Sequence, residues 1–87
     1  MWTKILADVT EPEQLSLLVP LLFSPEELSA VSGRILVYKE LLRGEKSQRQ
    51  IAKEHKISIA TITRGSNNLK AMSCAEKKLL QTLLIKE

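Results

Sequence analysis

The sequence contains too few residues of several kinds to build common types of functional site. Among its 87 residues there is one cysteine, Cys74, and one histidine, His55. An internal disulfide is therefore excluded, and no Cys/His cluster has zinc-finger spacing, so we expect no metal. Cys74 and His55 have no partner for nucleophilic or acid–base chemistry, and no pair of titratable residues has a recognisable catalytic spacing. We expect a protein that is not an enzyme, with both residues in structural or solvated positions.

Long apolar runs are also missing. No stretch approaches the length of a membrane span, and Met1 to Asp8 lacks the apolar core and cleavage site of a signal peptide. We therefore expect no membrane contact and a cytoplasmic location. The chain has only three glycines and three prolines, no sustained alternation, and Leu, Ile and Val at helical intervals. These features predict an all-α protein of five or six short helices.

The longest predicted helix runs from Pro25 to Arg43. Ser24-Pro25-Glu26-Glu27 is a capping box with proline in the first turn, and Gly44 is a stop signal. Apolar residues step by three and four along this helix: Leu28, Val31, Ile35, Tyr38 and Leu42, with Leu41 widening the stripe. The stripe is more apolar surface than so small a monomer readily covers, which suggests packing against a second chain. The alternative is that it faces the core of its own chain.

Serine caps predict three later helices. Ser47 opens a helix to about Glu54, Ser58 opens one to about Ala71, and Ser73 opens the last, which is rich in leucine. Before the long helix, Thr10-Glu11-Pro12-Glu13 predicts a helix start. Pro20 should kink or end that helix. The segment Trp2 to Ala7 is weakly specified.

The segment from Gln48 to Leu69 has the spacing of a helix-turn-helix. Such a pair needs a small residue on the first helix, an apolar residue in the turn and another facing inward on the second helix. The residues that meet these needs are Ala52, Ile57 and Ile62, with Ile51 and Leu69 extending the shared core. Lys56 stands near the turn position that often adopts the left-handed conformation, where any residue other than glycine costs about 1 kcal/mol.

Basic charge is concentrated around this segment. Residues 43–70 contain seven Lys or Arg residues and two Glu residues, a net charge of +5, whereas the rest of the chain sums to −2. A local excess of positive charge is typical of a surface that binds DNA phosphates, although a solvated charged face has the same composition. The three aromatic residues, Trp2, Phe23 and Tyr38, all lie outside the segment, which argues against single-strand binding by base stacking.

If Ile62 faces inward, the start of the second helix presents small, hydroxyl and apolar groups suited to base edges in the major groove. These residues are Ile59, Ala60, Thr61 and Thr63. Gln48 and Arg49 are placed for phosphate or an outer base. Sequence-independent attraction would come from Lys46, Lys53 and Lys56. The alternatives are a plain structural hairpin and a protein-interaction module that buries a partner helix.

Three strings in this region resemble the bacterial tryptophan repressor family. They are Lys39-Glu40-Leu41-Leu42-Arg43-Gly44-Glu45, Ser47-Gln48-Arg49 and Ile59-Ala60-Thr61-Ile62-Thr63-Arg64-Gly65-Ser66-Asn67, within a resemblance that extends from Leu21 to Lys70. The resemblance implies one domain over residues 1–87 that forms an intertwined helical homodimer. Residues 1–46 and 72–87 would form the dimer core, and residues 47–71 the reading head. It further implies a repressor of palindromic operator DNA with L-tryptophan as corepressor.

The same resemblance implies the corepressor contacts. The indole would lie between the guanidinium groups of Arg34 and Arg64, which suit stacking on a flat ring. Ser24 would assist the carboxylate, and Gly65 would leave room for the ring. Backbone carbonyls around Leu21 and Phe23 would accept hydrogen bonds from the ammonium group.

Two positions depart from the family pattern. Asn68 replaces a family serine that meets the ammonium, and its amide oxygen can accept the same hydrogen bond. Ala52 stands where a family lysine contacts DNA, with Lys53 beside it as a substitute. These departures leave open a regulator of the same fold that answers a different effector or none. Without the resemblance, Arg34 would be a surface partner of Glu27 or Glu40, and Arg64 an ordinary phosphate contact.

Overall fold

The computed structural model describes residues 1–85, and within them the chain forms six α-helices and no strand. The helices are α1 (Trp2–Ala7), α2 (Pro12–Leu22), α3 (Pro25–Arg43), α4 (Gln48–His55), α5 (Ile59–Ala71) and α6 (Cys74–Leu84). The predictions of an all-α chain and of five or six short helices are therefore confirmed.

Local capping fixes the ends of the long helix α3 where the sequence predicts them. The Ser24 hydroxyl accepts a hydrogen bond from the Glu27 backbone N–H at 3.1 Å, and Glu27 Oε1 accepts one from the Ser24 N–H at 2.8 Å. At the other end Gly44 adopts a φ of 68°, a left-handed conformation that favours glycine. The predicted bounds from Pro25 to Arg43 are confirmed.

Serine side chains cap the three later helices in the same way. The hydroxyls of Ser47, Ser58 and Ser73 each accept a hydrogen bond from the backbone N–H three residues on, at 3.1 Å. Gln50 and Glu76 return a bond to the cap residue and complete two capping boxes. The predicted starts of α4, α5 and α6 are confirmed.

Of the two effects that the sequence predicts for Pro20, a kink in its helix or the end of it, the second is wrong. Pro20 lies inside α2, which continues to Leu22. Proline lacks only its own N–H donor, and the N–H groups after it can still bond within the helix. The Phe23 N–H donates to the Val19 carbonyl at 3.1 Å and closes the last turn beyond the proline. The proline therefore costs its own hydrogen bond to the preceding turn and does not end the helix.

The chain divides into two compact units between Ala30 and Val31. In the first unit, α1 and α2 bring the rings of Trp2 and Phe23 into an edge-to-face contact, with centroids 5.8 Å apart and planes at 80°. Several large apolar side chains of this unit are exposed: Leu15, Leu17, Leu21 and Leu22.

The core of the second unit lies where α3, α4 and α5 meet. Val37, Ile51 and Ile62 are fully buried there. Leu41, Ala52 and Ile57 pack against these three residues. Of the predicted inward-facing residues, Ile51, Ile62 and Leu69 are buried, and Ala52 and Ile57 are half-buried against the core. Among the described residues, no helix is long and apolar enough to cross a membrane.

Candidate nucleic-acid interface and ligand site

A tight turn of three residues joins α4 to α5. Lys56 adopts φ 56° and ψ 44°, the left-handed conformation that the sequence predicts near this position. The Ile57 N–H donates to the Ala52 carbonyl at 3.1 Å, which closes the end of α4. Ile57 then packs on the core while Ser58 caps α5. The turn therefore fixes the start of α5 relative to α4.

Most of the residues predicted to read bases are exposed at the start of α5. Ile59, Ala60 and Thr63 lie on the surface, and Ile62 between them is buried. Thr61 is half-buried, and its hydroxyl lies 2.8 Å from the Ser58 hydroxyl. The Thr61 hydroxyl is therefore part of the helix cap and has less freedom to contact a base than Thr63.

The residues predicted to contact the DNA backbone lie along α4 and its flanks. Arg49, Lys53 and Lys56 are exposed, and Gln48 is half-buried. A shallow cleft of about 440 Å³ is lined by Lys46, Gln50, Lys53 and Glu54. This surface supplies exposed cations next to the apolar and hydroxyl groups of α5.

Lys46 differs from the other predicted phosphate contacts because its ammonium is already paired. Its Nζ donates to Glu40 Oε2 at 2.9 Å and to Glu54 Oε1 at 2.8 Å. These two carboxylates raise the pKa of Lys46 above its ordinary value, with Glu54 as the larger cause. A phosphate would have to compete with both of them, so Lys46 is less available to DNA than Lys53.

Glu40 is the centre of an ion-pair cluster that the sequence does not reveal. The residue is only 5% exposed, yet its Oε2 accepts hydrogen bonds from His55 Nε2 at 2.7 Å and from Lys46 at 2.9 Å. Arg43 lies 3.8 Å from the other carboxylate oxygen. The hydrogen bonds from His55 and Lys46 lower the pKa of Glu40 and outweigh the opposing effect of burial. The cluster ties α3 to the C-terminal end of α4.

The same cluster contains three groups of metal-ligand type. Single ligand atoms of Glu40, Glu54 and His55 all lie within 4.8 Å of one another. The Lys46 ammonium contacts both carboxylates, so positive charge is already present where a metal ion would supply it. We therefore describe this group as an ion-pair network.

The residues predicted to contact the corepressor are divided between the two units. Leu21, Phe23 and Ser24 belong to the first unit, where the Ser24 hydroxyl caps α3. Arg34 and Arg64 belong to the second unit, and both are exposed. Among the described residues of that unit, neither guanidinium forms an ion pair. Glu40 pairs with other cations, so the alternative of an Arg34–Glu40 bridge is wrong.

Gly65 and Asn68 occupy the face of α5 that packs on α3. A Cβ atom on Gly65 would lie 2.6 Å from Val37 Cγ1, so glycine is required for the two helices to approach. Asn68 Nδ2 donates a hydrogen bond to the Tyr38 hydroxyl at 3.3 Å. Both residues therefore have contacts on α3 that are independent of any ligand.

Comparison with known proteins decides the family. The sequence profile of the family described as Trp repressor protein matches residues 1–84. The chain belongs to the Trp repressor family. A Trp operon repressor homolog of Vibrio atlanticus is 44% identical over 77 residues, which cover 88% of this chain and 79% of the relative. A homolog of Vibrio cholerae is 42% identical over 87 residues, covering 97% and 84%. The predicted family is confirmed.

Within this Trp repressor family member, sequence reasoning missed two contacts between polar side chains. Glu40 and His55 are 15 positions apart, and Tyr38 and Asn68 are 30 apart, so helical spacing gives no sign of either contact. One signal was available: Glu40 lies three positions after Val37 and four after Leu36, a spacing that places this charged residue on one helix face with two apolar residues. A charge so placed is buried only with partners.

Proposed function

We propose that this chain is a transcriptional repressor that binds palindromic operator DNA through α4 and α5 and takes L-tryptophan as corepressor. The observation that carries the proposal is the packing of α4 on α5, which buries Ile51 and Ile62 and leaves the start of α5 exposed. Membership of the Trp repressor family supports it. The role is one of regulated binding, and no chemical step is required of the protein.

In the proposed complex α4 and α5 act as a helix-turn-helix, and the start of α5 enters the major groove. Ile59, Ala60 and Thr63 face the base edges, where their apolar and hydroxyl groups suit thymine methyls and water-mediated contacts. Arg49 and Lys53 are exposed on α4 and contact phosphate or an outer base. Ala52 carries no charge and is half-buried against the core. The exposed Lys53 beside it is therefore the cation on α4 proposed to contact the DNA backbone.

The functional form is proposed to be a homodimer. Large apolar side chains on α2, α3 and α6 are 40–80% exposed, for example Leu17, Ile35 and Leu83. Among residues 1–85, the fully buried core holds three large side chains, so this part of the chain covers little of its own apolar surface. In dimeric helix-turn-helix proteins, of which the tryptophan repressor is a known example, the two reading helices enter major grooves about 34 Å apart.

The corepressor is proposed to contact the second unit through Arg34, Arg64 and Asn68. Both guanidinium groups are exposed, and neither forms an ion pair within the described part of the unit, so their planar faces are open to an indole. Gly65 lies on the same face of α5 as Asn68, the face that packs on α3. Leu21, Phe23 and Ser24, in the first unit, are also proposed to contact the ligand.

Tryptophan can strengthen DNA binding only by binding more tightly to the DNA-competent arrangement of the reading heads. A coupling free energy of about 1–3 kcal/mol gives a gain in affinity of roughly 5- to 150-fold. We propose that the ligand acts by setting the tilt of α4 and α5, so that both heads of the dimer fit successive grooves.

Selection of bound sequences from random duplexes, with and without L-tryptophan, tests the proposal. We expect a palindrome to be enriched only when the amino acid is present. Arg49→Ala should weaken binding to the selected duplex, and Lys78→Ala, which removes the same charge from exposed α6, is the matched control. Equal enrichment in both arms would eliminate the switch, and no salt-dependent duplex binding at all would eliminate the DNA-binding role.

Calorimetry with L-tryptophan and related indole compounds tests the corepressor separately. We expect L-tryptophan to bind the wild-type dimer and Arg34→Ala and Arg64→Ala to lose that binding. A wild-type protein that enriches a palindrome yet binds no tryptophan would answer another effector or none.

A further inference from the structure

Lys46 lies between two carboxylates that differ in exposure. Its Nζ donates to Glu40, which is 5% exposed, and to Glu54, whose side chain is 51% exposed. Glu40 also accepts a hydrogen bond from His55 and lies 3.8 Å from Arg43. Among residues 1–85, the closest cationic group to Glu54 is the Lys46 ammonium, at 2.8 Å, whereas His55 Nε2 lies 3.9 Å away. The solvent side of Lys46 is therefore neutralised by Glu54.

Lys46 and Glu54 also line the cleft beside α4, together with Lys53 and Gln50. Lys53 is exposed and forms no ion pair within the described part of the chain, so it is the open cation of this cleft. An ammonium has three N–H donors, and carboxylates take two of those on Lys46. A phosphate that bound Lys46 would displace Glu54 or lie beside its negative charge, and like charges repel. Glu54 therefore opposes phosphate contact at Lys46.

We propose that Glu54 limits the sequence-independent DNA affinity of this chain by withholding the Lys46 ammonium from phosphate. The inference rests on the proposed function, in which α4 faces the DNA backbone. Phosphate contacts carry no sequence information directly, so the loss of one lowers the affinity for every duplex. A larger share of the remaining affinity then comes from the base contacts of α5. Glu54 is thus a determinant of selectivity that acts through Lys46.

The salt dependence of duplex binding tests the inference, because the slope of log affinity against log salt concentration reflects the number of phosphate contacts. The probe is a fluorescently labelled duplex without a palindrome, with L-tryptophan present throughout. We expect Glu54→Gln to steepen the slope by about 0.9 for each bound reading head and to raise the affinity by roughly 3- to 10-fold per head at about 0.1 M salt. Glu45→Gln is the matched control, because Glu45 is exposed and pairs with no cation among residues 1–85. It should have a smaller effect on both quantities.

The Lys46→Met background separates an effect through Lys46 from a general loss of negative charge. Glu54→Gln should add no steepening in that background, because methionine has no ammonium to release. Circular dichroism checks that each variant keeps its helix content. An unchanged slope for Glu54→Gln, equal effects of Glu54→Gln and Glu45→Gln, or the same steepening with Lys46→Met present would each overturn the inference. A wild-type protein without salt-dependent duplex binding would instead remove the proposed DNA-binding role, and the inference with it.

Discussion

Glu40 shows how one buried carboxylate can link two helices. It lies on α3 with its side chain almost fully covered, and it accepts hydrogen bonds from Lys46, in the connection to α4, and from His55, at the end of α4. Burial alone would favour the neutral acid, but these two donors favour the carboxylate and lower its pKa. The position of α4 therefore depends on the negative charge of the Glu40 carboxylate.

The lowered pKa of Glu40 predicts a pH dependence of stability. A group with a lower pKa in the folded state stabilises the fold at pH values above the unfolded-state value, here the ordinary 4.5, and that contribution is lost as the pH falls through the folded-state pKa. We expect Glu40→Gln to lower the free energy of unfolding at pH 7 by about 1–3 kcal/mol, since Lys46 and His55 lose a charged acceptor. Urea unfolding measures the difference.

The same urea unfolding measurements, repeated at lower pH, isolate the effect of protonating the Glu40 carboxylate. The stability of the wild type should fall more steeply than that of Glu40→Gln below pH 4.5, because only the wild type loses the carboxylate. Glu45→Gln removes an exposed carboxylate nearby. It should change neither the free energy of unfolding at pH 7 nor its decrease at lower pH appreciably. Parallel pH profiles for wild type and Glu40→Gln would contradict the assigned role.

Gly65 provides a second test, of packing between α3 and α5. An alanine Cβ would lie 2.6 Å from Val37 Cγ1, so one helix must move, and we expect Gly65→Ala to destabilise the protein by about 1–3 kcal/mol. Gly33→Ala is the matched control, because a Cβ there meets nothing within 4 Å, and it should stabilise α3 by about 0.5–1 kcal/mol. Thermal unfolding of both variants checks the pair. Val37→Ala should partly rescue Gly65→Ala, and a failure of that rescue would place the clash elsewhere.

The helices as elements were largely predictable because their signals are local. Ser24, Ser47 and Ser73 each act on backbone groups within three residues, so the sequence alone places three helix starts. Pro20 misled the prediction because proline removes only its own bond to the preceding turn, and the residues after it still complete α2 to Leu22. The Tyr38–Asn68 contact depends on the tertiary approach of α3 and α5, which no local pattern encodes.

The turn between α4 and α5 carries a measurable strain. Lys56 holds the left-handed conformation that favours glycine, with φ 56°. We expect Lys56→Gly to raise the free energy of unfolding by about 0.5–1 kcal/mol, because glycine adopts this conformation without a Cβ penalty. Lys56→Ala removes the same charge but keeps the Cβ, so it should give no such gain. Equal effects of the two substitutions in chemical unfolding would show that the charge, not the backbone, determines the difference.

At the level of the molecule, exposed apolar surface governs the expected assembly. Leu79 and Leu83 are 59% and 54% exposed on α6, and Leu17 is 73% exposed on α2. For an obligate dimer, stability depends on protein concentration, so the unfolding midpoint should rise with concentration. Sedimentation equilibrium should give twice the chain mass for the wild type and a lower mass for Leu83→Glu. Lys78→Glu, which places a carboxylate on exposed surface of the same helix, should keep the dimer, and a monomeric wild type would contradict the assembly.

The single indole of the sequence has a practical consequence for studies of binding. Trp2 makes an edge contact with Phe23 in the first unit, and the second unit contains no tryptophan residue. Intrinsic tryptophan emission of the wild-type protein therefore reports on the surroundings of α1 alone. In a Trp2→Phe variant, added L-tryptophan would be the only indole fluorophore present. The anisotropy of its emission would therefore report its binding to the protein directly.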